Sequence, residues 1–284
     1  MLSQDHNSVV LLGDIGVFGF RDVSLEHPTR VINAGILEQS MIGLGAGLSS
    51  VGCIPTIHTI APFLVERAYE QLKIDFAYQN LSGNFVSVGA SFDYSGLGCT
   101  HHCPSDIGIL SNIPGMNIFV PGHAMEFDNQ FSSNWNSGGL NYFRLSEHTN
   151  NSAIVLSSDE SSRKVKEGTL GIVVVVGPML DLVVDALSGI DLEVHYVNRF
   201  SAGSRIKLSS TLRNAPIFLV EPYYSGRLLN EILELAFHWN LKPVQVGVPV
   251  AFLRGYGSFT DQIKAAQLDR ESIRRRILSG LTNG

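Results

Sequence analysis

Two stretches of this chain hold residue types that can do chemistry. The first is Arg30–Val51, RVINAGILEQSMIGLGAGLSSV, in which Glu38 is the single acidic residue. Leu37, Met41, Leu44 and Leu48 recur at helical spacing, which predicts a helix over Gly35–Ser50 after a short strand at Arg30–Asn33. Ile42 and Gly45 follow Glu38 along its own face. If that face is buried, a carboxylate there is costly unless it is paired or protonated. Gly43, Gly45 and Gly47 flatten one side of the helix, as expected where a backbone or a ligand packs closely. Glu38 is therefore a candidate site carboxylate, with a structural carboxylate capping a loop amide as the plain alternative.

The second stretch is Phe92–Asp106, FDYSGLGCTHHCPSD, dense in Gly, Cys and His. Thiolates and imidazoles this close could ligate zinc, but His101 and His102 are adjacent and no second ligand pair follows at finger-like spacing. Cys99 or Cys103 could act as a nucleophile beside a histidine, yet nothing in the sequence marks an oxyanion hole. The functional reading of His101 is a histidine at the end of a parallel-sheet strand, where ligands of such sheets bind.

Strands and helices alternate around these stretches. Ser8–Leu12 is an expected strand that delivers a loop, Gly13–Phe20, whose three glycines lack a dinucleotide-binding spacing. Further strands are expected at Cys53–His58, Asn84–Val88, Asn117–Val120 and Leu140–Leu145. Helices are expected at Ala61–Gln79, Asp106–Asn112 and from about Gly122 to Trp135. After the polar stretch Ser146–Glu167, a second unit repeats the alternation. Its expected strands are Ile172–Val176, Glu193–Asn198, Pro216–Val220 and Pro243–Val248. Its expected helices are Met179–Leu187, Gly226–Trp239 and a tail capped by Asp269. The prediction is an α/β protein of two domains, residues 1–150 and 169–284, joined by a linker over 151–168. Each domain is a mainly parallel sheet flanked by helices.

With 44% hydrophobic and 16% charged residues, the 284-residue chain can bury a sizeable core. A net charge of −6 without a basic run argues against nucleic acid or a membrane surface as partner. No apolar run approaches the ~20 residues of a membrane span, and the start lacks a signal-peptide pattern. Three cysteines do not make a disulfide framework, so a reducing, cytoplasmic location is expected.

Taken together the motifs resemble the transketolase family. GILEQSMIGLGAGLSSVG resembles the glutamate-bearing helix of that family's pyrimidine-binding domain. PFLVERAYEQLKID resembles its next helix, and GLGCTHHCPSDIGILSNIPGMNIFVP its glycine-rich substrate loop and downstream signature. The segments GTLGIVVVVGPM, FLVEPYYSGRLLNEI and LDRESIRRRI look like its C-terminal domain. The family's diphosphate-binding domain, with its GDG…N magnesium motif, has no counterpart in this sequence.

The resemblance implies thiamine diphosphate as cofactor, with Mg2+ bound mainly by a partner. Glu38 would hydrogen-bond N1′ of the aminopyrimidine, a task suited by a carboxyl kept protonated in an apolar site. Phe63 would stack on that ring, and Ile60 falls where another aromatic is common. Asp14 and Ile15 would lie beside the thiazolium. His101 would hydrogen-bond substrate oxygen, Arg144 would hold a sugar phosphate, and Arg67 would bind substrate.

The implied protein is the β-type subunit of a split transketolase-like enzyme. It would transfer a two-carbon unit from a ketose-type donor to an aldehyde or ketone. Its partner would be an N-terminal, diphosphate-binding subunit in an α2β2 heterotetramer, with β–β contact through both domains. Leu97 replaces the family's acidic residue, Cys99 its proline, and Gly89–Ser91 a stretch that usually holds a histidine. These departures keep open a 2-oxoacid-decarboxylating enzyme with a donor such as pyruvate.

Overall fold

A computed structural model gives the fold and describes residues 1–201 and 205–282. Strands β1 (Ser8–Leu12), β2 (Val31–Asn33), β3 (Ile54–Ile60), β4 (Gly83–Val88), β5 (Met116–Phe119) and β6 (Leu140–Arg144) belong to the first unit. The second contributes β7 (Arg163–Lys166), β8 (Ile172–Val176), β9 (Glu193–Val197), β10 (Arg199–Phe200), β11 (Pro216–Tyr224) and β12 (Lys242–Val248). Helices α1 (Arg21–Glu26) and α2 (Glu38–Ser50) precede α3 (Tyr69–Gln71), a single α turn between two π-helical stretches, Phe63–Arg67 and Leu72–Tyr78. Then follow α4 (Asp106–Leu110), α5 (Ala124–Asn134), α6 (Leu180–Ala186), α7 (Arg227–His238), α8 (Phe259–Ala265) and α9 (Arg270–Thr282).

The first sheet runs β10-β5-β6-β4-β3-β1-β2 and the second β12-β11-β8-β9-β7. Every pairing is parallel except at two edges, where β10 lies antiparallel to β5 and β7 antiparallel to β9. Both mainly parallel sheets match the expected fold class. The central strand of the second sheet is apolar on both faces: all five residues of β8, IVVVV, are buried, as a sheet covered by helices on each side requires. Because β1, β2, β3 and β4 run in one direction, their C-terminal ends meet along one edge, and the loops leaving it share one crevice.

Two expectations change. The helix over Gly35–Ser50 begins only at Glu38, because Gly35 holds φ +74° and Leu37, at φ −143° and ψ 55°, is not helical. Its buried face is Glu38, Met41, Ile42, Gly45 and Ala46, whereas Leu37 and Leu44 are exposed. Gly45 is the one glycine of α2 that packing demands, since a Cβ there would sit 2.6 Å from Ile57 Cδ1. The helix over Ala61–Gln79 forms with wide π turns, whose backbone bonds reach one residue further than in an α-helix.

The polar stretch between the units also gains structure, since β7 forms within it. The units are joined tightly. Glu126 on α5 is buried and accepts bonds from Tyr196 (2.6 Å), Asn198 (2.7 Å), and the backbone N–H groups of Gly122 (3.0 Å) and Ile154 (2.8 Å). One apolar core runs from Leu11 and Ile57 through to Val174 and Leu219.

Candidate active site

The crevice at the strand ends is built from the backbone outward. After β1 the chain turns through Gly13, where a Cβ would lie 2.7 Å from Thr59 Oγ1, and Asp14 takes the left-handed conformation at φ +58°. Asn33, the last residue of β2, ties this turn to the next loop. Its Oδ1 accepts the N–H groups of Asp14 (3.1 Å) and Gly35 (3.1 Å), and its Nδ2 donates to the Asp14 carboxylate (3.0 Å). That clamp fixes where α2 starts, so Glu38 enters the first turn of the helix, where the dipole favours a carboxylate.

Glu38 is 2% exposed, so its charge needs a partner. Arg67 supplies it: Nη1 donates to Glu38 Oε2 at 2.7 Å. The same guanidinium lies 4.1 Å above the centre of the Phe63 ring, a cation–π contact. The Phe63 ring in turn meets His101 edge-on, with ring centres 5.2 Å apart. Glu38, Arg67, Phe63 and His101 thus form one unbroken row. The apolar surroundings expected for Glu38 give way to a charged neighbour in this chain. The π turn over Phe63–Arg67 contributes by setting both side chains on the crevice side, and such turns recur at functional sites.

Asp14 is exposed and Ile15 half-exposed on the adjoining loop, while Ile60 closes β3 nearly buried. His101 stands on the loop after Gly98, with its Nδ1 3.0 Å from Thr100 Oγ1 and its ring edge-on to that of Tyr94, centres 6.2 Å apart. Leu97 is exposed on the same loop.

Arg144 departs from the expectation of a phosphate-holding fork. It is 1% exposed, its Nε donates to Asp106 at 2.7 Å and its Nη2 to Ser91 Oγ at 2.6 Å. Burial alone would lower its pKa, and the Asp106 carboxylate more than reverses this, so the guanidinium stays charged. The reason for the difference is topological: β6 lies inside the sheet, so a side chain at its end points under the loops. Arg144 holds the Gly89–Ser91 turn, which Ser91 also fastens to the Pro222 carbonyl of the second unit.

The nucleophile reading of Cys103 also resolves. Burial pushes the Cys103 thiol well above its usual pKa, and the Asp106 and Glu66 carboxylates add to this, so it lacks the thiolate that a nucleophile needs. Burial lowers the pKa of His102, whose ring packs edge-on against Phe92. Among the described residues no group of His, Cys, Asp or Glu could hold a metal ion. No helix among them is long and apolar enough to cross a membrane. Asn33, Asp106 and His58 escaped the sequence reading. His58 lies against the Gly16 turn with its Nδ1 2.9 Å from the Val86 carbonyl, and burial lowers its pKa. A lone Asn before a glycine turn was the available signal for Asn33.

Comparison with known proteins identifies relatives of this chain. Residues 1–151 match the family described as transketolase, pyrimidine binding domain. The chain is 34% identical over 284 residues to an uncharacterized 33.6 kDa protein in the fasciation locus of Rhodococcoides fascians, covering 99% of this chain and 91% of that protein. It is 36% identical over 120 residues to one of the subunits of the apulose-4-phosphate transketolase of Actinobacillus succinogenes, 42% of this chain and 39% of that one. Among solved structures, a split gene transketolase described as an inactive beta4 tetramer superposes with a TM-score of 0.76. It is 23% identical and matches across 99% of this chain and 93% of its own. The chain belongs to the transketolase family, and over its whole length its fold is similar to that of a split gene transketolase chain.

Proposed function

We propose that the chain is the pyrimidine-binding subunit of a split, thiamine diphosphate-dependent transketolase-type enzyme. In that reading it works with a diphosphate-binding partner to move a two-carbon unit between a ketose-type donor and a carbonyl acceptor. The observation that carries this reading is the row of Glu38, Phe63 and His101 at the strand ends. The residues fit the cofactor's aminopyrimidine, because the face of Phe63 next to Glu38 already accepts a planar, hydrogen-bonding group, the Arg67 guanidinium. When bound, thiamine diphosphate supplies a carbon nucleophile and an electron sink for breaking a bond beside a carbonyl.

Within this chain, Glu38 would hydrogen-bond the pyrimidine N1′ and hold a proton there. Phe63 stacks on the ring and fixes its plane. His101, at the mouth of the row, donates to the oxygen of the reacting carbonyl. Asp14 and Ile15 form the wall offered by the β1 loop, with Asn33 holding Asp14 in place. Arg67, with its side chain 43% exposed, would bind substrate. Mg2+ and the diphosphate would fall to the partner, a division that the likeness to split transketolase subunits supports. Ile36, Leu37 and Leu44 are exposed and apolar around Glu38, which suits a face that another subunit covers in an α2β2 assembly in the cytoplasm.

The test is reconstitution with the partner chain, followed by a donor screen. Two-carbon transfer should appear only in the mixture and fall roughly 10²–10⁴-fold in Glu38→Gln, the range of an acid–base group. Full activity in that variant would defeat the proposal. The second reading, a 2-oxoacid donor, is favoured by the exposed Leu97, which offers sugar hydroxyls no hydrogen bond. Release of CO2 from pyruvate without ketose turnover would select it.

A further inference from the structure

The slot between Glu38 and Phe63 is already filled by a group of this chain. The Arg67 guanidinium donates to Glu38 Oε2 at 2.7 Å and covers the Phe63 ring at 4.1 Å. Both contacts are those that an aminopyrimidine would make: a hydrogen bond to the carboxyl and a planar stack on the aromatic. A ring face stacked at that distance has room for one planar partner, so the two cannot share it. The Arg67 side chain is 43% exposed while Glu38 is 2% exposed. The plug can therefore leave toward solvent, whereas the carboxylate beneath it cannot follow. Once Arg67 leaves, the buried charge needs another hydrogen-bonding partner, and cofactor entry meets that need.

We propose that Arg67 is a displaceable plug that holds the pyrimidine slot of the subunit closed and neutralises Glu38 until cofactor enters. This rests on the functional reading above and adds to it a competition inside the site. The guanidinium is an apt placeholder because it is planar, permanently charged and able to stack and hydrogen-bond at once. A lysine would keep the ion pair and lose the stack. Cofactor affinity then carries a cost equal to the free energy of the Arg67 contacts, whatever the partner contributes to the diphosphate.

Binding of thiamine diphosphate with Mg2+ to the reconstituted complex, followed by titration calorimetry, measures this cost without reference to turnover. Arg67→Ala should tighten binding by roughly 5- to 150-fold, the usual range for coupled contacts. Arg67→Lys should fall between Arg67→Ala and the wild type, and it covers the case in which the alanine variant does not assemble. Unchanged or weaker binding in the variants overturns the plug. If the wild-type complex binds no thiamine diphosphate at all, the functional reading itself fails, a result separate from the ranking of the variants.

Discussion

At the scale of single residues, ion pairs divide this protein's charged groups between scaffold and site. The Arg144–Asp106 pair is enclosed, with side chains 1% and 0% exposed, and Tyr142 adds a hydrogen bond to the same carboxylate at 2.9 Å. Removing one partner leaves an uncompensated buried charge. Arg144→Met should therefore destabilise the chain by about 3–5 kcal/mol in urea unfolding. An unchanged unfolding midpoint together with a raised KM for a phosphorylated acceptor would return Arg144 to the substrate. The Arg67–Glu38 pair is the opposite case, since one partner is half exposed and free to leave.

At the scale of elements, helix ends are where this fold places carboxylates. Glu221, on β11 and fully buried, accepts the N–H groups of Gly226 (2.6 Å) and Leu228 (2.9 Å) at the start of α7. Burial pushes its pKa up to about 7, against the pull of those two N–H groups and of Arg227. In the native chain the carboxyl thus keeps a proton that the unfolded chain releases near the ordinary value of 4.5. Stability from this group is full below pH 4.5, falls as pH rises toward about 7 and levels off above it. The loss amounts to roughly 3 kcal/mol. Urea midpoints of the wild type minus those of Glu221→Gln, taken from pH 4.5 to 8, should trace that decline; a flat difference would contradict it. The glutamine variant should also lose about 1 kcal/mol at low pH, where one helix-end bond is no longer made.

At the scale of the whole molecule, the two units behave as one folding body. Glu126 gathers four hydrogen bonds from both units, and the Tyr224 N–H donates to the Pro104 carbonyl at 2.8 Å. Strand β10 leaves the second unit to extend the first sheet. Glu126→Ala strands several buried donors, each costing about 1–3 kcal/mol, so it should lower the midpoint of both units together. Two separate transitions in tryptophan fluorescence and far-UV dichroism would show that the units unfold independently.

The sequence by itself determined the alternation of strands and helices apart from α1, β7, β10 and α8, the helix that carries Glu38 and the family. Those properties rest on local periodicity and on motifs that each lie within one segment. It marked Glu38, Phe63, Arg67 and His101 as candidates one by one. That they form a single row came only from the tertiary structure, because the strand ends that carry them meet through parallel pairing across distant parts of the chain. The choice of buried face on α2 was also tertiary: Met41 is buried while Leu37 and Leu44 are exposed, because the flat side at Gly45 is the one that fits against Ile57. Strands β7 and β10, of four and two residues, carry no pattern of their own and exist because an edge was open to them. The family resemblance implies a phosphate fork at Arg144, and only the tertiary structure shows it buried and bonded to Asp106 and Ser91. Glu38 kept the position its helix gave it, and tertiary packing supplied the neighbour that now occupies its slot.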